Sequence, residues 1–589
     1  MLFHDFVRVS LLLAIAIFSH SAFATSFASS KEFVHVPEVQ WFPCFQEIGP
    51  FECANYTVPL DYSRTSKYFY VSGDQPGITL AVIRLPATDP ENKIGSLFLN
   101  PGGPGGSGVN FALNAGQVLY TPEVRAKFDI VGFDPRGVAR STPLRCLTSF
   151  DLLDEFSALR AYPETLHEAF AQLDVERRFR KECDANAGPI IDNMTTADVA
   201  RDMDILRLAV GDHQLTYAGF SYGSFLGVTY ASLFPHNVRA LIVDAVLDPI
   251  QWTTGKGKTR RLPFSTRLRS DAGAGATLEE FFRLCDLAGA PRCPLAGGAA
   301  DRYFELLERL KDEPVVLVFQ DGSELVIDNI FLTSVTLSVL YNPFDWFVFA
   351  SDLAFIELLA TSFAPAADFN FLGRTRDREE NPDVMFQTLE AFPGVACSDS
   401  NNPRFGLAWI FASAISERNF GIFGPAWTWA SSICARWPGS KSSRYKGPFT
   451  RNTANPVLVT STEFDPATRF EGAVKVSELL PNSHLLTVEG WGHTTLFLSN
   501  CATQIASDYL VNQSLPGSAS TCQVDEPPFF LSPAEVYPAA AGIATQRSVD
   551  PAAKGRVPDS SASFENSNEA NRKDALRSIM GDRPTYQRR

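Results

Sequence analysis

The chain has 589 residues, 45% of them hydrophobic and 20% charged, with a formal net charge of −15. That length and apolar fraction allow a large buried core and exclude a disordered tail protein. The acidic balance argues against nucleic-acid and anionic-membrane partners, which an acidic surface repels.

The first 24 residues read as a secretory leader, with Arg8, the apolar run Val9 to Phe18, then Ser21-Ala22-Phe23-Ala24 and cleavage after Ala24. The apolar run is too short to span a bilayer, so a secreted or vacuolar-lumen protein is expected. Ten cysteines fall in sequence-adjacent pairs, and five local disulfides follow as the simplest reading. They would join Cys44 to Cys53, Cys146 to Cys183, Cys285 to Cys293, Cys397 to Cys434 and Cys501 to Cys522. No C-x-x-C pair or histidine cluster points to a metal. Sequons at Asn55, Asn193 and Asn512 predict surface glycosylation in a eukaryotic source.

Strand and helix patterns alternate from about residue 78 to 249. Gly77 to Ile83, Ser96 to Leu99 and Phe128 to Phe133 are near-continuous apolar runs, and Thr195 or Thr196 caps an amphipathic helix carrying Val199, Met203 and Leu206. Such runs separated by helices predict a mostly parallel sheet covered on both faces, an α/β class. After Ser96-Leu97-Phe98-Leu99 comes the loop Asn100-Pro101-Gly102-Gly103-Pro104-Gly105-Gly106-Ser107-Gly108, which leaves backbone N–H groups bare. No Gly-Lys-Ser/Thr follows it, so it is not a phosphate cradle. Asp134 and Arg136, in Asp134-Pro135-Arg136-Gly137, are expected to brace this loop as an ion pair or turn.

Gly219-Phe220-Ser221-Tyr222-Gly223 lies between an apolar strand and a helix pattern, the signature of a nucleophile elbow. Ser221 is placed to attack a carbonyl, and the N–H groups of Tyr222 and of Gly103, or its neighbour Gly102, are the expected oxyanion donors. The acid and base of this arrangement follow the serine in that order. Asp465 ends the strand pattern beginning at Asn455, and His493 turns out of the strand Ser483 to Val488; Asp248, in Leu247-Asp248-Pro249, is the rival acid. Between about residues 250 and 450 the pattern turns to helices and irregular segments without strand alternation, predicting an inserted cap. Its aromatics, Tyr341 to Trp346 and Trp427 to Trp429, are read mainly as cap core, with some lining a substrate pocket. The organisation expected is leader 1–24, core 25–249, cap 250–450, core 451–537 and a disordered tail 538–589.

The loop Asn100 to Gly108, the stretch Gly132-Phe133-Asp134-Pro135-Arg136-Gly137, the elbow, and the segment from Asp465-Pro466 to Gly492-His493 together resemble the secreted tripeptidyl-aminopeptidase-like α/β-hydrolases, relatives of prolyl iminopeptidases. The resemblance runs from about residue 38 to 530. It implies the α/β-hydrolase fold, a C-terminal TAP-like part, and a serine exopeptidase that takes peptides by their free N-termini and needs no cofactor. It also makes Asp399, in Gly394-Val395-Ala396-Cys397-Ser398-Asp399, one position for meeting a substrate ammonium group, a solvated or helix-capping role being the alternative. Two departures stand out: Ala467-Thr468-Arg469 follows Pro466 where the family often has Thr-Pro, and Thr494 replaces a frequent glycine. A secreted esterase or lipase with the same triad, and an inactive binding protein on the same fold, are the rival readings.

Overall fold

In the computed structural model of the chain, residues 36–529 are described, apart from 64–75, 149, 320–321, 362–381 and 518. The expected leader and tail lie outside the described residues. Among the described residues twelve strands form in chain order: β1 (Phe42–Pro43), β2 (Glu52–Pro59), β3 (Gly77–Leu85), β4 (Gly95–Asn100), β5 (Phe128–Phe133), β6 (Leu215–Phe220), β7 (Val238–Asp244), β8 (Val315–Val318), β9 (Glu324–Ile327), β10 (Val457–Phe464), β11 (Ser483–Trp491) and β12 (Ala519–Gln523). All but β8 and β9 join one sheet in the order β1-β2-β3-β5-β4-β6-β7-β10-β11-β12. From β5 to β12 neighbouring strands run parallel, while β1, β2 and β3 add an antiparallel margin.

Both faces of the sheet are covered, which is why its central strands have no polar alternation. Helices α1 (Gly108–Ala115), α2 (Thr196–Ala209), α3 (Tyr222–Leu233), α4 (Pro249–Thr253), α5 (Pro382–Asp399) and α6 (Asn500–Asn512) bear most on the site. On one face Val199, Met203 and Leu206 of α2 and Phe225 and Leu226 of α3 join a core with Phe98, Val131 and Val457. On the other, Val109 and Phe111 of α1 and Ala502 and Tyr509 of α6 pack with Leu97, Leu99 and Ile130. Thr195 caps α2 by accepting from Asp198 N–H, as its place before the apolar stripe predicts.

Strand order reverses at β4, which lies between β5 and β6. Loops leaving the carboxyl ends of β4 and β6 therefore face one crevice, the usual ligand position in such sheets. The segment between β7 and β10 is largely helical and builds its own core around Phe281, Trp346, Phe349 and Leu353. It also holds the antiparallel pair β8/β9, against the expectation of a cap without strands. These strands are four residues each, with Val316 and Val318 exposed, too short a signal for alternation to register. β2 lies before the expected start of alternation, yet Ala54, Tyr56 and Val58 alternate inward along it.

The five predicted disulfides are all formed. Cys44 bonds to Cys53, where the turn after β1 meets β2. Cys146 bonds to Cys183, and Cys397 near the end of α5 bonds to Cys434, each closing a separation of 37 residues. Within the cap Cys285 bonds to Cys293. Cys501 in α6 bonds to Cys522 in β12, tying the edge strand to the helix that precedes it. Asn55 and Asn512 are exposed, and half-buried Asn193 donates to the Pro189 carbonyl at 2.8 Å. Among the described residues no helix is long and apolar enough to cross a membrane.

Candidate active site

Ser221 sits between β6 and α3 with φ 57° and ψ −125°, a conformation that non-glycine residues rarely adopt and that is characteristic of stored backbone strain. Space for this turn depends on small neighbours. A Cβ on Gly219 would stand 2.3 Å from the Gly223 carbonyl, and one on Gly223 would stand 2.6 Å from the Asn100 carbonyl. The Ser221 N–H donates to the Asp244 carbonyl at 2.9 Å, tying the turn to the end of β7.

The Gly-rich loop arrives beside the serine because Asn100 of β4 lies in register with Gly219 of β6. Gly102, at φ 98°, comes so close that a Cβ there would stand 2.8 Å from Tyr222 N and 3.0 Å from the Ser221 Cβ. Gly102 N–H is already taken, donating to Asn100 Oδ1 at 3.0 Å. Among the described residues the Gly103 N–H has no acceptor, and the Tyr222 N–H belongs to the first turn of α3, whose donors lack intrahelical partners. These two N–H groups are the available pair. Asp134 does brace the loop, accepting from Ser107 Oγ at 2.5 Å, Val109 N at 3.1 Å and Arg140 N at 3.0 Å. Arg136 does not pair with it: the fully buried guanidinium forks onto Asp202 at 2.6 and 2.8 Å and also donates to the carbonyls of Pro59, Leu60 and Asn193.

β10 delivers Asp465 after a register shift between Thr462 and Phe464, a bulge that re-aims the strand end. Its carboxylate accepts from Ala467 N, Thr468 N and Thr468 Oγ1, each at 2.8 Å, and meets His493 Nδ1 at 2.9 and 3.0 Å. Among the described residues His493 Nε2 has no hydrogen-bond partner, and no hydrogen bond joins it to Ser221 Oγ. Contacts of this kind commonly tighten only around substrate. Asp248, the rival acid, caps α4 instead, its Oδ1 accepting from Ile250 N at 2.8 Å and Gln251 N at 3.1 Å.

Asp244, which sequence reasoning missed, joins the two halves of the site. Its backbone carbonyl holds Ser221, and its buried carboxylate accepts from Thr495 N at 3.0 and 3.1 Å and from Thr495 Oγ1 at 2.6 Å, two residues after His493. Burial pushes this carboxyl up to about 6. Its place at the end of a strand next to the elbow strand was the available signal. Thr494, the departure from the family's frequent glycine, has φ 79° and a buried hydroxyl without a partner among the described residues.

Of the two roles expected for Asp399, the structure carries the helix-capping one. Asp399 is 1% exposed, and its oxygens accept from Thr196 N at 2.9 Å, Thr196 Oγ1 at 2.5 Å and Trp252 Nε1 at 3.3 Å. It secures the first residue of α2 rather than facing a cleft. Thr196 Oγ1 also bonds the hydroxyl of Tyr222, linking Asp399 to the residue after the nucleophile. Of the cap aromatics, Trp346 is cap core, whereas Tyr341 packs on His493.

A strained serine after a central strand, free N–H groups beside it and a histidine held by a buried carboxylate define a serine hydrolase of the α/β-hydrolase fold. The chain belongs to that family: residues 95–277 match the α/β hydrolase fold family and residues 419–522 the TAP-like protein family. It is 31% identical to carboxylesterase B of Mycobacterium tuberculosis over 83% of this chain and 91% of that one. It is 30% identical to serine protease Hip1 of the same organism, covering 82% and 91%. It is 27% identical to tripeptidyl aminopeptidase of Streptomyces coelicolor, covering 82% and 86%.

Proposed function

We propose that this hydrolase is an exported serine exopeptidase that cleaves peptides from free N-termini, with Ser221 as nucleophile, His493 as general base and Asp465 as its orienting acid. The observation that carries the triad assignment is the Asp465 carboxylate on His493 Nδ1, which fixes the tautomer with Nε2 unprotonated and able to take the Ser221 proton. The Tyr222 and Gly103 N–H groups receive the negative oxygen of the tetrahedral intermediate. His493 then returns the proton to the leaving amine, and a water repeats the cycle on the acyl-enzyme. The disulfides favour export to an oxidising compartment.

Relatives named tripeptidyl aminopeptidase and serine protease favour peptide substrates. We assign the substrate ammonium group to Glu390, buried like Asp399 but less fully hydrogen-bonded. One of its oxygens accepts from Cys146 N and Leu147 N at 2.8 and 2.7 Å, while the other has no hydrogen bond among the described residues. Burial pushes it up to about 7. The next residue, Ala391, lies against Gly105 of the oxyanion loop.

The relative named carboxylesterase B supports a second reading, ester hydrolysis by the same residues. Peptidyl arylamides with free and acetylated N-termini separate the two. Blocking the amine of an exopeptidase substrate strands a carboxylate and is expected to cost on the order of 30- to 1,000-fold in kcat/KM. Equal rates on both forms, or turnover of acyl esters alone, would establish the esterase.

A further inference from the structure

The loops around the carboxyl end of α5 gather several cations. Arg267 is buried, and among the described residues its guanidinium donates only to carbonyl oxygens, those of Gln251 at 2.7 Å, Leu262 at 2.8 Å, Asn401 at 2.6 Å, Trp252 at 3.2 Å and Thr253 at 3.3 Å. Lys441 Nζ donates to the Ser400 carbonyl at 3.0 Å. Arg444 has buried Nε and Nη1 atoms with no partner among the described residues. Arg404, exposed, adds a fourth cation that acts on Lys441.

Asp399 favours the charged forms of Lys441 and Arg444, and Asp192 and Asp198 accept from Ser440 N and Ser443 Oγ of the same loop, not from the two cations. The Asp399 oxygens are occupied by Thr196 and Trp252. Burial and the neighbouring arginines together bring Lys441 down to about 8. Burial, with Arg444 beside it, brings Arg267 down to about 10. The carboxyl end of α5 attracts cations through its helix dipole, which accounts for Lys441 on Ser400. Neither the dipole, about half a charge, nor Asp399, whose oxygens are taken, gives the Arg444 N–H groups an acceptor.

We infer that Arg444 and Lys441, backed by Arg267, form a binding site for a small oxyanion: a carboxylate, sulfate or phosphate. Such a group accepts from a guanidinium fork and an ammonium at once and neutralises the cluster. The site lies beside the chain Asp399–Thr196–Tyr222, so its occupancy reaches the residue that follows the nucleophile.

The test is titration of the full-length protein with sodium sulfate, at ionic strength held constant with sodium chloride, followed by calorimetry and thermal unfolding. The expected result is a saturable isotherm with saturable stabilisation, weakened about tenfold or more in Arg444→Gln and Lys441→Gln, and retained in part by Arg444→Lys. Absence of a saturable isotherm with the unaltered protein, or stabilisation that rises without limit and equally in the variants, overturns the inference; the latter is general salting. Peptides ending in a carboxylate or an amide distinguish the source of the anion, in an arm that alone rests on the peptidase reading. If Arg444→Gln raises KM only for the carboxylate form, the substrate supplies the anion. If KM is unchanged for both while sulfate binding is lost, the anion comes from solution.

Discussion

Tyr341 of the cap holds His493 of the core in two ways: its carbonyl accepts the His493 N–H at 2.9 Å, and the two rings meet edge to face at 4.9 Å between centroids. Gly492 makes the approach possible, since a Cβ there would stand 2.9 Å from the Tyr341 carbonyl and 2.7 Å from the Pro343 Cδ. Tyr341→Ala keeps the backbone bond and removes the ring, whose contact is worth about 0.5–1.5 kcal/mol. The expected outcome is a fall in kcat of about tenfold with the fold retained, read by kinetics and circular dichroism. Unchanged kcat would show that the backbone bond alone holds the imidazole.

Asp465→Asn is expected to lower kcat by about four orders of magnitude, because an amide favours the wrong tautomer of His493. Asp248→Asn, in contrast, alters a helix cap and leaves turnover near normal. A larger loss at Asp248 than at Asp465 would reverse the assignment. A fluorophosphonate is expected to label Ser221, and Ser221→Ala to abolish both labelling and turnover.

Asp244→Ala removes the acceptor for Thr495 while leaving the backbone carbonyl that holds Ser221. The loop bearing His493 then loses a clamp without losing its acid. A drop in kcat of about 10- to 100-fold is expected, with Asp465 still present. A loss as large as that of Asp465→Asn would instead make Asp244 a direct participant in proton transfer.

Thr494 holds a left-handed backbone conformation that costs a β-branched residue about 1–3 kcal/mol. Thr494→Gly relieves that strain at some cost in unfolded-chain entropy, and a net gain of about 1 kcal/mol is expected in thermal or denaturant unfolding. Lower stability would mean that the threonine methyl contributes packing that outweighs the strain.

Stability is expected to fall as pH rises. Burial lifts Asp244 and Asp399 to about 6 and Glu176 and Glu390 to about 7, against unfolded values near 4. The folded protein therefore binds these protons more tightly than the unfolded chain. Their favourable contribution is full below about pH 4 and is lost as pH passes through about 6 to 7. Exposed carboxylates held down by arginines, such as Glu155 and Asp174, act below this window, as pH falls through their lowered values. Melting temperature measured from pH 5 to 8 should decline, and Glu176→Gln should flatten the slope, its share being about 1–3 kcal/mol. A melting temperature that rises over that range contradicts the account.

Much of this arrangement is legible in the sequence because the pieces are local. Ser221 is marked by Gly219 and Gly223, and Asp465 and His493 each end an apolar run that only a buried strand explains. The cysteines are legible for the same reason, each bonding to its neighbour in the chain, as Cys285 does to Cys293. The role of Asp399 was left open and Asp244 was missed because both are fixed by partners far away in sequence, Thr196 and Trp252 for one and Thr495 for the other. No spacing rule exposes such pairings. Arg136 shows the same limit, since its nearby Asp134 looked like its partner while the buried fork goes to Asp202. The short strands β8 and β9 lay below the length at which alternation carries weight, although Asp321-Gly322 between them is a hairpin signal.

The cap interrupts the sheet between two strands that lie side by side, β7 ending at Asp244 and β10 beginning at Val457. During synthesis Ser221 leaves the ribosome early, whereas Asp465 and His493 emerge only after the whole cap. Pairing across so long a stretch of chain is among the slowest folding events. The nascent chain is thus expected to carry a nucleophile without a base, a delay that keeps the hydrolase inactive while it is being made. A fragment ending before Asn455 should leave a fluorophosphonate untouched, and labelling of that fragment would show that the delay does not exist.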